Sequence, residues 1–320
     1  MNHEITATRP CHPVARRAQP ATLGPYRLFE RLGAGGYACV YRARRLDDPL
    51  GPDVAIKRLH PHLIHDEAAI ACFGREARIA YLLDHPVIRR VLALRREAGE
   101  LFIAMELAEG VPLDRVLTRA SLTRRRLPIA GVLALLVRLC EALHFAHEIV
   151  DERGAAAGFV HRDVSPSNLI VSPAGALKLI DLGVARVEAA EHVTNSGLVK
   201  GKYGYMAPEV LWSAPFDRRA DVFSVGVVAW ELLVGRRLFP IASPPVDLER
   251  VRARPIDPPS VRNPACPLAL DAVILRALAT DPADRWPSCA AVAEALRAVA
   301  ASLEVSLTDA AIASLLDVLA

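Results

Sequence analysis

The chain has 320 residues, 52% apolar and 23% charged, with a formal net charge of +3. That suffices for one large domain or two lobes around an ample core, and the composition is that of a globular protein. No apolar run in the sequence reaches the roughly 18 residues of a membrane helix, and no secretory signal precedes residue 25, so the expected setting is cytoplasmic with no membrane span.

In chain order, residues 1–24 are rich in Pro, Ala, Thr and Arg without periodicity, which predicts a disordered arm. From Tyr26, "YRLFERLGAGGYACVYRARR" alternates around a glycine-rich turn and predicts a hairpin. "DVAIKRL" follows as a short strand. "DEAAIACFGREARIAYLLDH" has helical spacing and stops at Pro86. "VIRRVLALRREAGELFIAMEL" predicts two strands around "EAGE". Beyond residue 108 the character is helical. "PIAGVLALLVRLCEALHFAHE" begins a helix near Pro128, and residues 159–186 hold short strands and loops. "DRRADVFSVGVVAWELLVG" is a buried helix, residues 240–268 are a Pro-rich loop, and "ALDAVILRALATD" and "SCAAVAEALRAVAASL" are two further helices. An amphipathic helix is expected over 301–320. The pattern is α+β: a small β-rich lobe over 25–107, then a larger mainly helical lobe over 108–300, with a junction of the kind where ligands bind.

The six cysteines, at 11, 39, 72, 140, 266 and 289, have no metal-binding spacing and most read as small buried hydrophobes, Cys39 in the glycine-rich turn being either an inert turn residue or a reactive thiol. Basic clusters at 123–126 and 250–254 lie in different regions and read as solvated faces, so no nucleic-acid partner is expected. Of 39 basic residues only four are lysines: Lys57, Lys178, Lys200 and Lys202. A lysine retained in so arginine-rich a chain is informative.

Several short motifs carry chemistry. "GAGGYACV" begins at Gly33 with glycines whose backbone N–H groups can approach phosphates unhindered, although alone it could be a plain hairpin turn. "VAIK" sets Lys57 on the next strand, and Glu76 on the following helix can hold it by an ion pair, or can be a helix-surface carboxylate. "HRDVSPSN" supplies Asp163 and Asn168, and "DLG" supplies Asp181: oxygen donors suited to hard Mg²⁺ ions completed by phosphate oxygens. "YMAPE" and "DPADRW" follow.

These motifs, in this order and spread over residues 25–300, resemble the signature set of bacterial eukaryotic-like (Hanks-type) serine/threonine protein kinases. The resemblance implies a bilobal protein-kinase fold, with ATP and Mg²⁺ (or Mn²⁺) as cofactors. It implies transfer of the γ-phosphoryl group to Ser/Thr hydroxyls of protein substrates, the chain itself among them. Leu32, Gly33, Ala34, Gly35, Gly36 and Val40 would cover the nucleotide. Ala55 would touch the adenine, Met105 would stand behind it, and Glu106 and Ala108 would offer hinge backbone groups. Ile170 would close the adenine from below. Lys57, oriented by Glu76, would bind the α- and β-phosphates. Asp163 would accept the substrate proton, and Asn168 and Asp181 would hold the metal. Glu209 and Arg285 would form a buried ion pair, Asp221 would brace the catalytic loop, and Arg162 would pair with a phosphate on Thr194 or Ser196.

The chain departs from the family pattern at three places. Ala38 stands where a third glycine is usual, which predicts weaker nucleotide affinity. Leu182 replaces the usual Phe after the metal-binding Asp. Ser165 stands where serine/threonine kinases carry a lysine, and Lys202 stands where they carry its threonine partner. The two chemical types are exchanged, so Lys202 is expected to reach back to Asp163 and the γ-phosphate as a catalytic residue, the alternative being a solvated loop lysine. Ser165 matches neither usual marker of serine/threonine or tyrosine preference. The competing functions are a pseudokinase that binds nucleotide as a scaffold and a small-molecule kinase. Against the first, Lys57, Glu76, Asp163, Asn168 and Asp181 are all present; against the second, "APE" marks a loop for protein substrates.

Overall fold

The computed structural model describes residues 22–97, 99–150, 154, 158–181, 202–240 and 255–320. The expectations for residues 1–21, Leu182, Thr194, Ser196 and the middle of the Pro-rich loop lie outside the described residues.

The first lobe is an antiparallel sheet of β1 (Thr22–Leu23), β2 (Tyr26–Ala34), β3 (Ala38–Arg45), β4 (Val54–Leu59), β5 (Val91–Glu97) and β6 (Glu100–Glu106), in the spatial order β1-β2-β3-β4-β6-β5. Strand β1 corrects the expected arm boundary at residue 24. Thr22 and Leu23 pair with Arg27 and Tyr26, and Gly24 turns the chain between them at φ 52°, a left-handed angle that glycine adopts without strain. Helix α1 (Glu67–Leu82) lies against the sheet, capped by the Asp66 carboxylate, which accepts from the Ala69 N–H at 3.0 Å. Its buried residues Ala69, Cys72, Phe73, Glu76, Ala77 and Ala80 recur at helical spacing. Glu76 lies within that apolar stripe, so the periodicity of the helix aims a carboxylate at the sheet. Alternation puts the other face of β2–β4 and β6 into a smaller core, where Tyr26 meets Phe102 edge-on at 6.0 Å between ring centres.

The second lobe begins with β7 (Val111–Pro112) and α2 (Leu113–Thr123), a helix the sequence pattern did not delimit. It ends at Arg124 in the left-handed region, φ 53°. Helix α3 (Ile129–His147) matches the helix expected from Pro128 and is apolar and long enough to cross a bilayer. Here 67% of its apolar window is buried inside the lobe, so it acts as the core helix. Strands β8 (Leu169–Val171) and β9 (Leu177–Leu179) join β7 in a small sheet under the junction. Helices α4 (Pro208–Leu211), α5 (Arg219–Val234), α6 (Pro259–Arg262), α7 (Leu268–Ala277) and α8 (Cys289–Ser302) complete the lobe, α6 lying within the stretch expected to be loop. Every residue of α5 from Ala220 to Val234 is buried, so α5 carries no polar outer face.

The tail corrects the expectation of one amphipathic helix over 301–320. Helix α8 ends at Ser302, and Glu304 takes φ 54°. Thr308 then caps a short α9 (Asp309–Ala313), which passes into a 3₁₀ turn, Ser314–Leu319. The buried residues Ile312, Leu315 and Val318 are three apart, which matches the three-residue repeat of a 3₁₀ turn better than 3.6. They dock on α2 and α3, helped by Arg138–Asp309 at 2.7 Å. The docking is close: a Cβ on Gly131 of α3 would stand 2.4 Å from the Ala311 carbonyl oxygen. Gly131→Ala improves helix propensity by about 1 kcal/mol. It is nevertheless expected to lower stability by roughly 1–3 kcal/mol in urea unfolding, because overpacking against backbone outweighs propensity. A stabilised Gly131→Ala would show that the tail yields easily.

Candidate active site

The β2–β3 hairpin forms the roof of a cleft of about 520 Å³ between the lobes, a volume suited to a small-molecule ligand. The turn is closed by Gly35 N–H to Ala38 O at 2.8 Å. Leu32, Gly33, Ala34, Gly35, Gly36 and Val40 line it from above with Ala55 of β4, and Ile170 of β8 lines it from below. Leu32 is 49% exposed, an apolar side chain left open at the mouth. Ala38, by contrast, is buried in the same core as Ala55 and Phe73. Ala108 lines the cleft at the connection between lobes. Met105 lies in a smaller cavity behind, with Glu76, Arg89 and Ile103. The Glu106 side chain turns to Lys178 at 2.7 Å, and its N–H donates to Arg90 O at 2.9 Å.

Lys57 on β4 faces α1, and its Nζ donates to Glu76 Oε1 at 2.5 Å, with Asp181 Oδ1 3.8 Å away. Burial pulls the Lys57 pKa down, but the carboxylates of Glu76 and Asp181 outweigh it and the net shift is upward. The ammonium is therefore held charged. Arg89 donates to Asp181 Oδ1 at 3.0 Å.

The catalytic loop is fixed from beneath. Asp221, on the first turn of α5, accepts from the His161 N–H at 2.7 Å and the Arg162 N–H at 2.9 Å, and contacts His147 Nε2 at 2.7 Å. Burial is the largest influence on His161 and lowers its pKa, which favours the neutral ring. With the backbone so pinned, Arg162 adopts φ 65° and lies 4.7 Å over the Phe216 ring. Asn168 ties the loop together, its Nδ2 donating to both the carbonyl and Oδ2 of Asp163 at 2.8 Å. Lys202 reaches this pair from the other side: Nζ is 2.8 Å from Asp163 Oδ2 and 3.0 Å from Asn168 Oδ1. Ser165 is 1% exposed and its Oγ lies 3.2 Å from Ser167 Oγ.

Asn168 Oδ1 and the Asp181 carboxylate are hard oxygen donors, and each already faces a cation, Lys202 and Arg89 respectively. That donor set fits a hard divalent ion. Among the described residues no group of three or more His, Cys, Asp or Glu could hold a metal unaided, so phosphate oxygens and water would complete the shell.

The structure thus brings the glycine hairpin, Lys57, Glu76, Asp163, Asn168, Asp181 and Lys202 around one cleft. Sequence reasoning missed Arg89. The doublet Arg89-Arg90 inside an apolar segment is its one local trace, and it does not say which arginine is buried or what it meets. His147 was also missed, because one histidine on an apolar helix gives no hint of a partner 74 residues on.

Two lobes, a glycine hairpin, a buried Lys–Glu pair and an Asp–Asn loop define a phosphotransferase of the protein-kinase class. Residues 26–296 match the protein kinase domain family, and the chain belongs to it. It is 38% identical over 274 residues to the tyrosine-protein kinase MasK of Myxococcus xanthus, covering 85% of this chain and 42% of that protein. It is 34% identical to the serine/threonine-protein kinase Pkn1 of Myxococcus xanthus, and 37% identical to the serine/threonine-protein kinase PknB of Mycobacterium tuberculosis. Those matches cover 91% and 83% of this chain and 41% of each relative, so the chain spans about two fifths of these curated relatives. A crystal structure of the Mycobacterium tuberculosis PknI kinase domain superposes with a TM-score of 0.65 at 29% identity, covering 88% of this chain and 99% of that one. The family uses ATP and a divalent metal in general.

Proposed function

We propose that this chain transfers the γ-phosphoryl group of Mg·ATP to serine or threonine hydroxyls of protein substrates, itself included. The observation that carries the reading is the closed Lys57–Glu76 pair at 2.5 Å, with Asp181 beside it and Asp163 and Asn168 across the same cleft. A scaffold that only bound nucleotide would have no need of Asp163 held in register by Asn168 and Asp221, so the pseudokinase reading is disfavoured.

In this reading the glycine hairpin covers the phosphates and Lys57 binds the α- and β-phosphates. The substrate hydroxyl oxygen attacks the γ-phosphorus, the bond to the β-phosphate oxygen breaks, and Asp163 takes the hydroxyl proton. Asn168 and Asp181 are the metal ligands, and Mg²⁺ when bound supplies charge neutralisation on the phosphate oxygens. Lys202, 2.8 Å from Asp163, is a fixed cation where negative charge builds up during transfer.

The test is incubation of the full chain with Mg·ATP and a generic protein substrate, with Asp163→Asn as the blank, followed by phosphoamino-acid analysis and mass spectrometry. Phosphoserine or phosphothreonine is expected, with autophosphorylation on Thr194 or Ser196. Phosphotyrosine alone would overturn the acceptor class, and incorporation equal to the blank would overturn the enzyme.

A further inference from the structure

Arg89 is a cation in the wall behind the cleft, 9% exposed. A guanidinium removed from water requires a counter-charge. Its salt bridge among the described residues is to Asp181, Nη2 to Oδ1 at 3.0 Å. The backbone sets up this meeting. The Arg89 N–H donates to Leu179 O at 3.0 Å, and the Leu179 N–H donates to Val87 O at 2.6 Å. Strand β9, which leads directly into Asp181, is thereby stitched to the segment that carries Arg89. Asp181 stands at φ 59°, a left-handed angle that a non-glycine residue holds only with support from its surroundings.

Among the described residues the charges behind the cleft balance. Lys57 and Arg89 face Glu76 and Asp181, two cations against two carboxylates. Without Arg89 the same group would carry one net negative charge and attract a divalent cation more strongly. A second acceptor for the arginine stands nearby. Glu76 Oε2 is buried with no hydrogen-bond partner, and Glu76, Arg89 and Asp181 line one small cavity.

We propose that Arg89 is the resident counter-cation of Asp181: it holds that carboxylate before metal arrives, lowers the affinity of the site for divalent metal, and passes to Glu76 when Asp181 turns to the metal. The inference rests on the reading of Asp181 as a metal ligand. Arg89 is a positioning residue in it.

The experiment titrates Mn²⁺ into the full chain in the presence of ADP and follows free Mn²⁺ by electron paramagnetic resonance. Arg89→Gln removes the charge and keeps an amide donor. It is expected to bind Mn²⁺ about tenfold more tightly than wild type, the scale on which one neighbouring charge shifts an ionic equilibrium. Arg89→Lys is expected to stay near wild type. Unchanged or weaker Mn²⁺ binding by a folded Arg89→Gln overturns the inference. Metal-free melting of Asp181→Asn decides independently of any arginine variant. Loss of the carboxylate leaves two cations, Lys57 and Arg89, to share Glu76, so a lower Tm than wild type is expected, and an equal or higher Tm overturns the pairing. Wild-type Mn²⁺ affinity in Asp181→Asn would instead sink the metal-ligand reading, which keeps the two failures distinct.

Discussion

Lys202→Ala is expected to lower kcat about 100-fold or more while leaving the KM for ATP nearly unchanged, as for a charge clamp acting in the transition state. The side chain is 18% exposed, and its two contacts, Asp163 Oδ2 and Asn168 Oδ1, lie among the residues read as base and metal ligand. Its backbone is anchored as well. Lys202 leads into the 3₁₀ turn Tyr203–Tyr205, whose Tyr205 donates its hydroxyl to Glu231 Oε2 at 2.6 Å and accepts from Ser224 Oγ at 2.8 Å through its carbonyl. A solvated loop lysine would have neither the contacts nor the anchor. The usual lysine position holds buried Ser165, whose hydroxyl cannot supply the missing charge. Moving the cation back should therefore restore function: Ser165→Lys combined with Lys202→Thr is expected to recover most of the lost kcat. Steady-state kinetics on the three proteins decide it. A Lys202→Ala as fast as wild type would refute the exchange, and a raised KM at unchanged kcat would reassign Lys202 to ground-state binding.

The parts of the site that local sequence carries were legible. A hairpin with glycines at its tip and a lysine on the next strand follow from a period of two, whereas Glu76 could also be a helix-surface carboxylate until the structure set it on the buried stripe of α1, 2.5 Å from Lys57. The exchange of Ser165 and Lys202 was legible because both residues belong to motifs of known spacing, although they are 37 residues apart. Arg89 was not, because its meaning depends on β9 lying beside it, a pairing between Val87 and Leu179 that no local pattern encodes. The tail was misread for a related reason. Ile312, Leu315 and Val318, three apart, lie close enough to a helical face to be read as one, and the tail as it docks on α2 and α3 takes the 3₁₀ turn. Strand β1 is two residues long, too short for any alternation, and exists only because β2 offers an edge.

Arg285→Ala is expected to destabilise the fold by about 3–5 kcal/mol, the scale for breaking a buried ion pair by removing one partner. The Arg285 side chain is fully buried, and all five of its N–H donors are used. Nη1 and Nη2 grip Glu209 Oε1 and Oε2 at 2.7 and 2.8 Å. Nε donates to Ala279 O at 2.8 Å, Nη1 to Arg219 O at 3.0 Å and Nη2 to Thr280 O at 3.0 Å. The guanidinium also lies 5.0 Å over the Phe223 ring. One side chain thus ties α4, which follows the Lys202 segment, to α5 and to the chain beyond α7. Arg285→Lys should lose most of the same stability, since three donors on a point charge cannot span a carboxylate and three carbonyls. The pair differs from one that apolar residues could replace without loss. In Glu209→Leu with Arg285→Met the stranded carboxylate is gone, yet the part-buried carbonyls of Ala279, Arg219 and Thr280 still lose a donor each, at about 0.5–1.5 kcal/mol per bond. That double variant is expected to fall between Arg285→Ala and wild type in urea unfolding. Wild-type stability in the double variant would mean that the three carbonyl contacts contribute nothing and that the ion pair alone determines the cost of Arg285→Ala.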